Sequence, residues 1–150
     1  MLRVGLVGSG NPLHSNDRRR SIPTALLAAL THVPGVAWTS LQVGPRAAEQ
    51  AELFGVADLS AQLRDFADTA ERISRLDLVI AVDTSTAHLA GAMGVPVWIL
   101  LPAAADWRWI AGRFDSPWYA SARLFQQGVA GDWTGVVTQV ATALAALRGW

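Results

Sequence analysis

The stretch at residues 78–101, LVIAVDTSTAHLAGAMGVPVWILL, constrains the fold more than any other part of the chain. It reads as an apolar run, a polar turn, a small-residue helix and a second apolar run. Leu78–Val82 and Val97–Leu101 have the length and the aliphatic, β-branched character of strands buried on both faces, which predicts a parallel sheet covered by helices. Between them a helix is expected to begin after Asp83-Thr84-Ser85-Thr86 and to stop at Gly94, a C′ glycine with Pro96 just beyond. A connection of about 14 residues is too long for a hairpin and suits a right-handed βαβ crossover. The Thr/Ser turn then lies at the carboxyl edge of the sheet, where open α/β folds bind ligands.

The rest of the chain falls into place around this unit. Residues 2–7 read as the first buried strand, ending in Gly8-Ser9-Gly10-Asn11-Pro12. That loop has the G-x-G spacing of a backbone-approach loop but lacks the third glycine of a dinucleotide fingerprint, and Asn11-Pro12 prevents it from running straight into a helix. A helix is predicted over 23–31, a strand over 36–42, a helix over 45–54 closed by Gly55, and a short third strand over 56–60. Asp68 is expected to cap the next helix, with Glu71 completing a capping box. A last short strand over 123–126 and a helix over 133–147 follow, the helix placing Val136, Val137, Val140, Ala141 and Leu144 on one stripe. Residues 102–122 form a long connection without a sustained period, of the kind that is usually functional. The expected sheet order is 3-2-1-4-5. That order makes the loops after the first and fourth strands neighbours at a topological switch point.

Composition narrows the function classes. At 150 residues the chain is expected to be one domain with a genuine core. Its apolar fraction is 51%, yet no run approaches the roughly 20 residues of a membrane span. Net charge is zero, so no global field favours nucleic acid or anionic membrane. The 12 basic residues are all Arg, a usage that suits bidentate phosphate recognition and equally reflects base composition. There is no cysteine, which excludes disulfides, thiol catalysis and cysteine metal sites. The first ten residues do not resemble a signal peptide, and a cytoplasmic location is the expectation.

The turn at Asp83, Thr84, Ser85 and Thr86 combines hydroxyls and a carboxylate with the unpaired N–H groups of a helix start. Such a turn is a site for an anion, phosphate above all, or simply a capped helix. Arg18, Arg19 and Arg20, in the loop predicted to lie opposite, favour the anion site. His88 sits about one turn into the same helix, as a structural residue or a general base. No H-x-x-x-H, H-E-x-x-H or Asp-x-Asp pattern supports a metal, and no G-x-S-x-G elbow supports a serine hydrolase. Trp107, Trp109 and Trp118 suit either stacking on a base or sugar ring or anchoring of the long loop.

Residues 82–98, VDTSTAHLAGAMGVPVW, closely resemble the donor-binding motif of the heptosyltransferase-like glycosyltransferases, family 9, in which a strand ends in Asp-Thr-Gly or Asp-Thr-Ser followed by x-x-His-Leu-Ala. SGNP with the Arg run and Ser-Ile-Pro, LQ-x-GPRA, DFADTA, LLP with DWRW, and DSPWY resemble still more closely a bacterial subgroup in which such a segment follows tetratricopeptide repeats. The resemblance covers almost the whole chain. It implies an α/β, Rossmann-like parallel sheet with helices on both faces, the carboxyl-terminal half of a GT-B enzyme, with a nucleotide-sugar as substrate and no metal or other cofactor.

By that resemblance Thr84, Ser85 and Thr86 hold the donor diphosphate, Asp83 contacts the sugar or orients the loop, and His88 supports the phosphate. Ser9, Gly10, Asn11 and Arg20 complete the clamp, and Gln42, Trp107 and Arg108 are candidate base or sugar contacts. No catalytic residue is assigned, because the family's base belongs to the amino-terminal half. Expected partners are therefore a nucleoside diphosphate sugar and an amino-terminal GT-B half, a repeat protein or a second copy, with neither nucleic acid nor a membrane span. The alternative is a non-catalytic nucleotide-binding or protein-interaction module. One departure stands out: Gly8 occupies a place where the subgroup usually has tryptophan, a loss expected either to open the pocket or to loosen packing.

Overall fold

The computed structural model describes residues 1–10, 21–103 and 121–148. Its centre is a five-stranded, wholly parallel sheet of order β2-β1-β3-β4-β5. The strands are β1 (Leu2–Val7), β2 (Val36–Ser40), β3 (Leu78–Val82), β4 (Val97–Leu101) and β5 (Ala122–Gln126). The helices are α1 (Ala28–Thr31), preceded by a 3-10 turn at Thr24–Leu27, α2 (Ala47–Phe54), α3 (Phe66–Ile73), α4 (Ser85–Ala92) and α5 (Thr134–Arg148). This is an α/β, Rossmann-like fold. No described helix is long and apolar enough to cross a membrane.

β3 and β4 are buried at every position because helices cover both faces. On one face Val4, Leu6, Ile80, Val82, Trp98 and Leu100 pack against Leu27, Leu30 and the α5 stripe of Val136, Val137, Val140 and Leu144. On the other, Val79, Ala81, Ile99 and Leu101 meet Ala87 and Ala90 of α4 and Ile73 of α3. The alternation follows from the two-residue period of a strand, and each fully buried aliphatic contributes about 1.5–3 kcal/mol relative to exposure. Alanines at the α4 contact let that helix sit close to the sheet. Gly94, at φ +75°, ends α4 and turns the chain into Pro96 and β4, as its place in the sequence predicts.

Four local expectations are corrected. Residues 56–60 form no strand: Gly55 closes α2 in the left-handed region at φ 65°, and the chain continues as coil into a 3-10 turn at Ser60–Gln62. Only Val56 and Leu59 there are large and apolar, neither is buried, and the Asp58 carboxylate accepts the Ser60 N–H at 2.9 Å, which bends the backbone out of extension. The sheet accordingly ends at β2. The second correction concerns α3, which starts one turn earlier than Asp68. Asp65 is its N-cap and accepts the Asp68 N–H at 2.9 Å, while the Asp68 carboxylate reaches back to the Arg64 N–H at 3.1 Å. Asp65 is thus the cap, Asp68 braces the residue before it, and Glu71 pairs with Arg75 rather than completing a box. The first helix is also tighter than expected, a 3-10 turn and a single α turn, and β2 stops at Ser40 because the next residues serve the first loop.

The sheet order retains the relationship that matters for a site. β1 and β3 are adjacent, with Leu6 opposite Ile80 and Val7 opposite Ala81, so the loops leaving their carboxyl ends emerge side by side. The crossover directions diverge at this seam, which is the switch point of the fold.

Candidate functional site

The β3 loop is built by α4. Thr84 is in extended conformation, φ −138° and ψ 168°, and caps the helix: its Oγ1 accepts the Ala87 N–H at 3.4 Å and donates to the Val82 carbonyl at 3.2 Å. Ser85, exposed, and Thr86, half-buried, follow in the first turn, where backbone N–H groups have no carbonyl four residues back. With the helix dipole, these donors suit an anion. The His88 N–H closes the first turn on the Thr84 carbonyl at 3.2 Å. Its ring returns to the loop, with Nε2 2.9 Å from Asp83 Oδ1. Both side chains are largely shielded, 21% and 13% exposed, so the pair holds the imidazole and the carboxylate in fixed relation beside the helix start. Against an ionised Asp83, Nε2 is the donor, which sets the neutral tautomer.

The β1 loop is organised from beneath. Gln42 accepts the Gly8 and Ser9 N–H groups on Oε1, at 3.1 and 3.0 Å, and donates from Nε2 to the Ser9 and Val43 carbonyls. Gln50, from α2, also accepts the Gly8 N–H at 3.1 Å and donates to the Leu6 carbonyl at 3.0 Å and to Ser40 Oγ at 2.9 Å. The Gly10 N–H donates to Ser21 Oγ at 2.9 Å, and the Ile22 N–H donates to the Gly8 carbonyl at 2.8 Å. All three amides of Gly8, Ser9 and Gly10 therefore point to protein acceptors. Ser9, Gln42 and Gln50 are 7%, 3% and 2% exposed. The described part of this loop, Gly8 to Gly10, is thus held by protein acceptors, whereas the amides in the first turn of α4 have no acceptor within the helix.

Gly8 has a definite steric reason. A Cβ there would lie 2.7 Å from Leu27 Cδ1 and 3.1 Å from Gln50 Oε1. The space beside Gly8 is filled by Leu27 and the Gln50 amide, so the glycine neither opens a pocket nor loosens the packing.

Of the residues singled out in the sequence, Asp83, Thr84, Ser85, Thr86 and His88 gather at the start of α4. Ser9 and Gly10 lie in the neighbouring loop, and Gln42 braces that loop from the interior with its whole amide. Asn11, Arg20, Trp107 and Arg108 lie outside the described residues, as do Arg18 and Arg19. Sequence reasoning missed Gln50 and the acceptor role of Ser21. Gln50 carried a readable signal: it falls with Ala47, Ala51 and Phe54 on the inward stripe of α2, and a polar residue there needs internal partners. Among the described residues no group of three or more His, Asp or Glu side chains comes together to hold a metal ion.

No family model matches the chain. Over 151 residues it is 31% identical to Protein FlbA of Caulobacter vibrioides (strain ATCC 19089 / CIP 103742 / CB 15). The chain is similar to one segment of FlbA. The match takes in 95% of this chain and 25% of FlbA, so the chain spans about a quarter of that relative's length.

Proposed function

We propose that the seam between β1 and β3 binds the diphosphate of a nucleotide-sugar, and that the chain is the donor-binding unit of a metal-independent, inverting GT-B glycosyltransferase. The observation that carries this reading is the start of α4, with Thr84 capping it and Ser85 and Thr86 in its first turn, at the switch point of a parallel sheet. The Asp83–His88 pair beside it supports the same reading, as does the resemblance of residues 82–98 to the family 9 donor motif.

In this reading the helix start stabilises negative charge on the departing nucleoside diphosphate, since fixed dipoles need no reorganisation during transfer. His88, its ring fixed by Asp83, supports the phosphate at the same place. Arg20 supplies the balancing cation. By the same resemblance, the base that removes the acceptor proton comes from an amino-terminal unit. A cytoplasmic location is part of the same proposal.

Ser85→Pro offers a specific test. It removes one N–H at the first helical position, where proline is tolerated, and Thr84 already has the extended backbone that a following proline requires. Titration calorimetry with UDP, GDP, ADP and CDP and their sugars is expected to show binding by at least one, weakened about tenfold by Ser85→Pro, or ~1.4 kcal/mol. Absence of binding by all of them would sink the donor-site reading. Binding without transfer, even with an added acceptor-side unit, would leave a non-catalytic nucleotide-binding module.

A further inference from the structure

Gln42 stands where two loops of the carboxyl edge are tied together. β2 keeps step with β1 as far as Leu6↔Ser40, and the Leu41 N–H adds one more rung by donating to the Leu6 carbonyl at 3.0 Å. Gln42 therefore leaves the sheet from a position that the ladder fixes, and it is 3% exposed. A primary amide offers two hydrogens and two acceptor positions. Here all four are used inside the protein: Oε1 accepts the Gly8 and Ser9 N–H groups, at 3.1 and 3.0 Å, and Nε2 donates to the Ser9 and Val43 carbonyls, at 3.1 and 3.0 Å.

The bonds to Ser9 take both its N–H and its carbonyl, as a neighbouring strand would, so the hold of the sheet extends past the end of β1. Gln50 reinforces the Gly8 N–H but makes no bond to Ser9, which leaves Gln42 as the side chain that fixes the Ser9 main chain. That position matters for the seam. Val7 is opposite Ala81, so Ser9 and Gly10 leave β1 beside the residues that lead from β3 through Asp83 and Thr84 into α4. The remaining bond of Gln42 runs to Val43, which is 48% exposed, and joins the chain that follows β2 to the same body.

We propose that Gln42 is a positioning residue of the seam: it contacts neither base nor sugar, and it acts on a diphosphate at the start of α4 by holding the Gly8–Gly10 segment at a fixed distance from that helix. The inference rests on the diphosphate reading of the seam. Its physical basis is preorganisation. A segment already locked in place needs no ordering when the ligand arrives, and a buried amide with every hydrogen bond made is a stiff lock. Releasing it returns the ordering cost to the binding step.

The test compares the 150-residue chain with Gln42→Leu and with Leu144→Ala, a cavity variant at a fully buried position in the last turns of α5. Calorimetry with UDP, GDP, ADP and CDP is run well below the unfolding midpoint of each protein. Both variants should be less stable than the parent, but only Gln42→Leu is expected to weaken binding, by about tenfold, with Leu144→Ala within about twofold of the parent. Amide exchange on 15N-labelled protein should show Ser9 accelerated more than Gly8, which Gln50 still holds. Should Gln42→Leu fail to fold, Gln42→Glu, which retains the acceptor for both amides and withdraws both donors, should give the same selective loss. Unchanged affinity in the Gln42 variant, an equal loss in Leu144→Ala, or unaltered exchange at Ser9 would overturn the positioning role while leaving the diphosphate reading intact. A parent chain that binds none of the four diphosphates would overturn that reading, and this inference with it.

Discussion

Asp83 Oδ1 and His88 Nε2 lie 2.9 Å apart, joining the residue that leads into the cap of α4 to the ring one turn inside it. The contact couples the loop conformation to the orientation of the imidazole. Asp83→Ala should weaken nucleoside diphosphate binding about fivefold, on the order of 1 kcal/mol, and lower stability by about 1 kcal/mol. Calorimetry and a urea transition measure the two effects separately. A fall in stability with unchanged affinity would confine the pair to a structural role.

Gln50 is the interior counterpart of that loop. Gln50→Leu retains the volume but withdraws the acceptor for Gly8 and the donors to Leu6 and Ser40. Because these groups are buried, the expected loss is about 2–3 kcal/mol. A urea midpoint that moves by less than a quarter of that amount would mean that water or Gln42 takes over the bonds.

Adding a methyl group at Gly8 should destabilise the domain by about 1–3 kcal/mol, since the new Cβ collides with Leu27 and the Gln50 amide. The collision predicts coupling. In a Leu27→Ala background, Gly8→Ala should cost markedly less, and a double-mutant cycle on thermal unfolding measures the difference. Strict additivity would count against a direct clash.

At the other end of β1, Arg3 donates to Asp77 from its backbone N–H at 2.8 Å and from its guanidinium at 3.1 and 3.3 Å. The side-chain hydrogen bonds first, then the backbone bond, and then the charge of Arg3 hold the Asp77 carboxyl below its ordinary range. A lowered folded-state value contributes stability above the unfolded value of roughly 4, and that contribution is lost as pH falls through the folded value. Asp77→Asn should therefore be less stable than the parent at pH 7, with a gap that closes below about pH 4. Denaturation curves at a series of pH values check this. A gap that stays constant down to pH 2 would exclude the carboxylate as its source.

The β3–α4–β4 unit was legible because its signals agree: two aliphatic runs, a Thr/Ser start and a glycine stop. The seam between β1 and β3 followed from the chirality and order of parallel crossovers. At residues 56–60 the sequence misled because a single valine and a single leucine imitate a short strand, while the Asp58 side chain competes for the backbone. The start of α3 was misplaced because Asp65-x-x-Asp68 and Asp68-x-x-Glu71 are the same pattern one turn apart, and only the backbone entering the helix distinguishes them. In the candidate site, the helix start at Thr84 could be read from residue type alone. The β1 side could not, since whether a loop amide faces a ligand or a glutamine depends on contacts made 33 to 42 positions away.

Arg3 and Asp77, neighbours across the β1–β3 seam, are separated by 74 positions in the chain. Pairings this distant carry a large closure entropy and form late. A growing polypeptide that has produced β1, α1, β2 and α2 possesses one wall of the seam and waits for β3 and α4 before the other can exist. The two walls are therefore joined only when the topology is complete, and a half-synthesised or misthreaded chain offers a ligand nothing to hold.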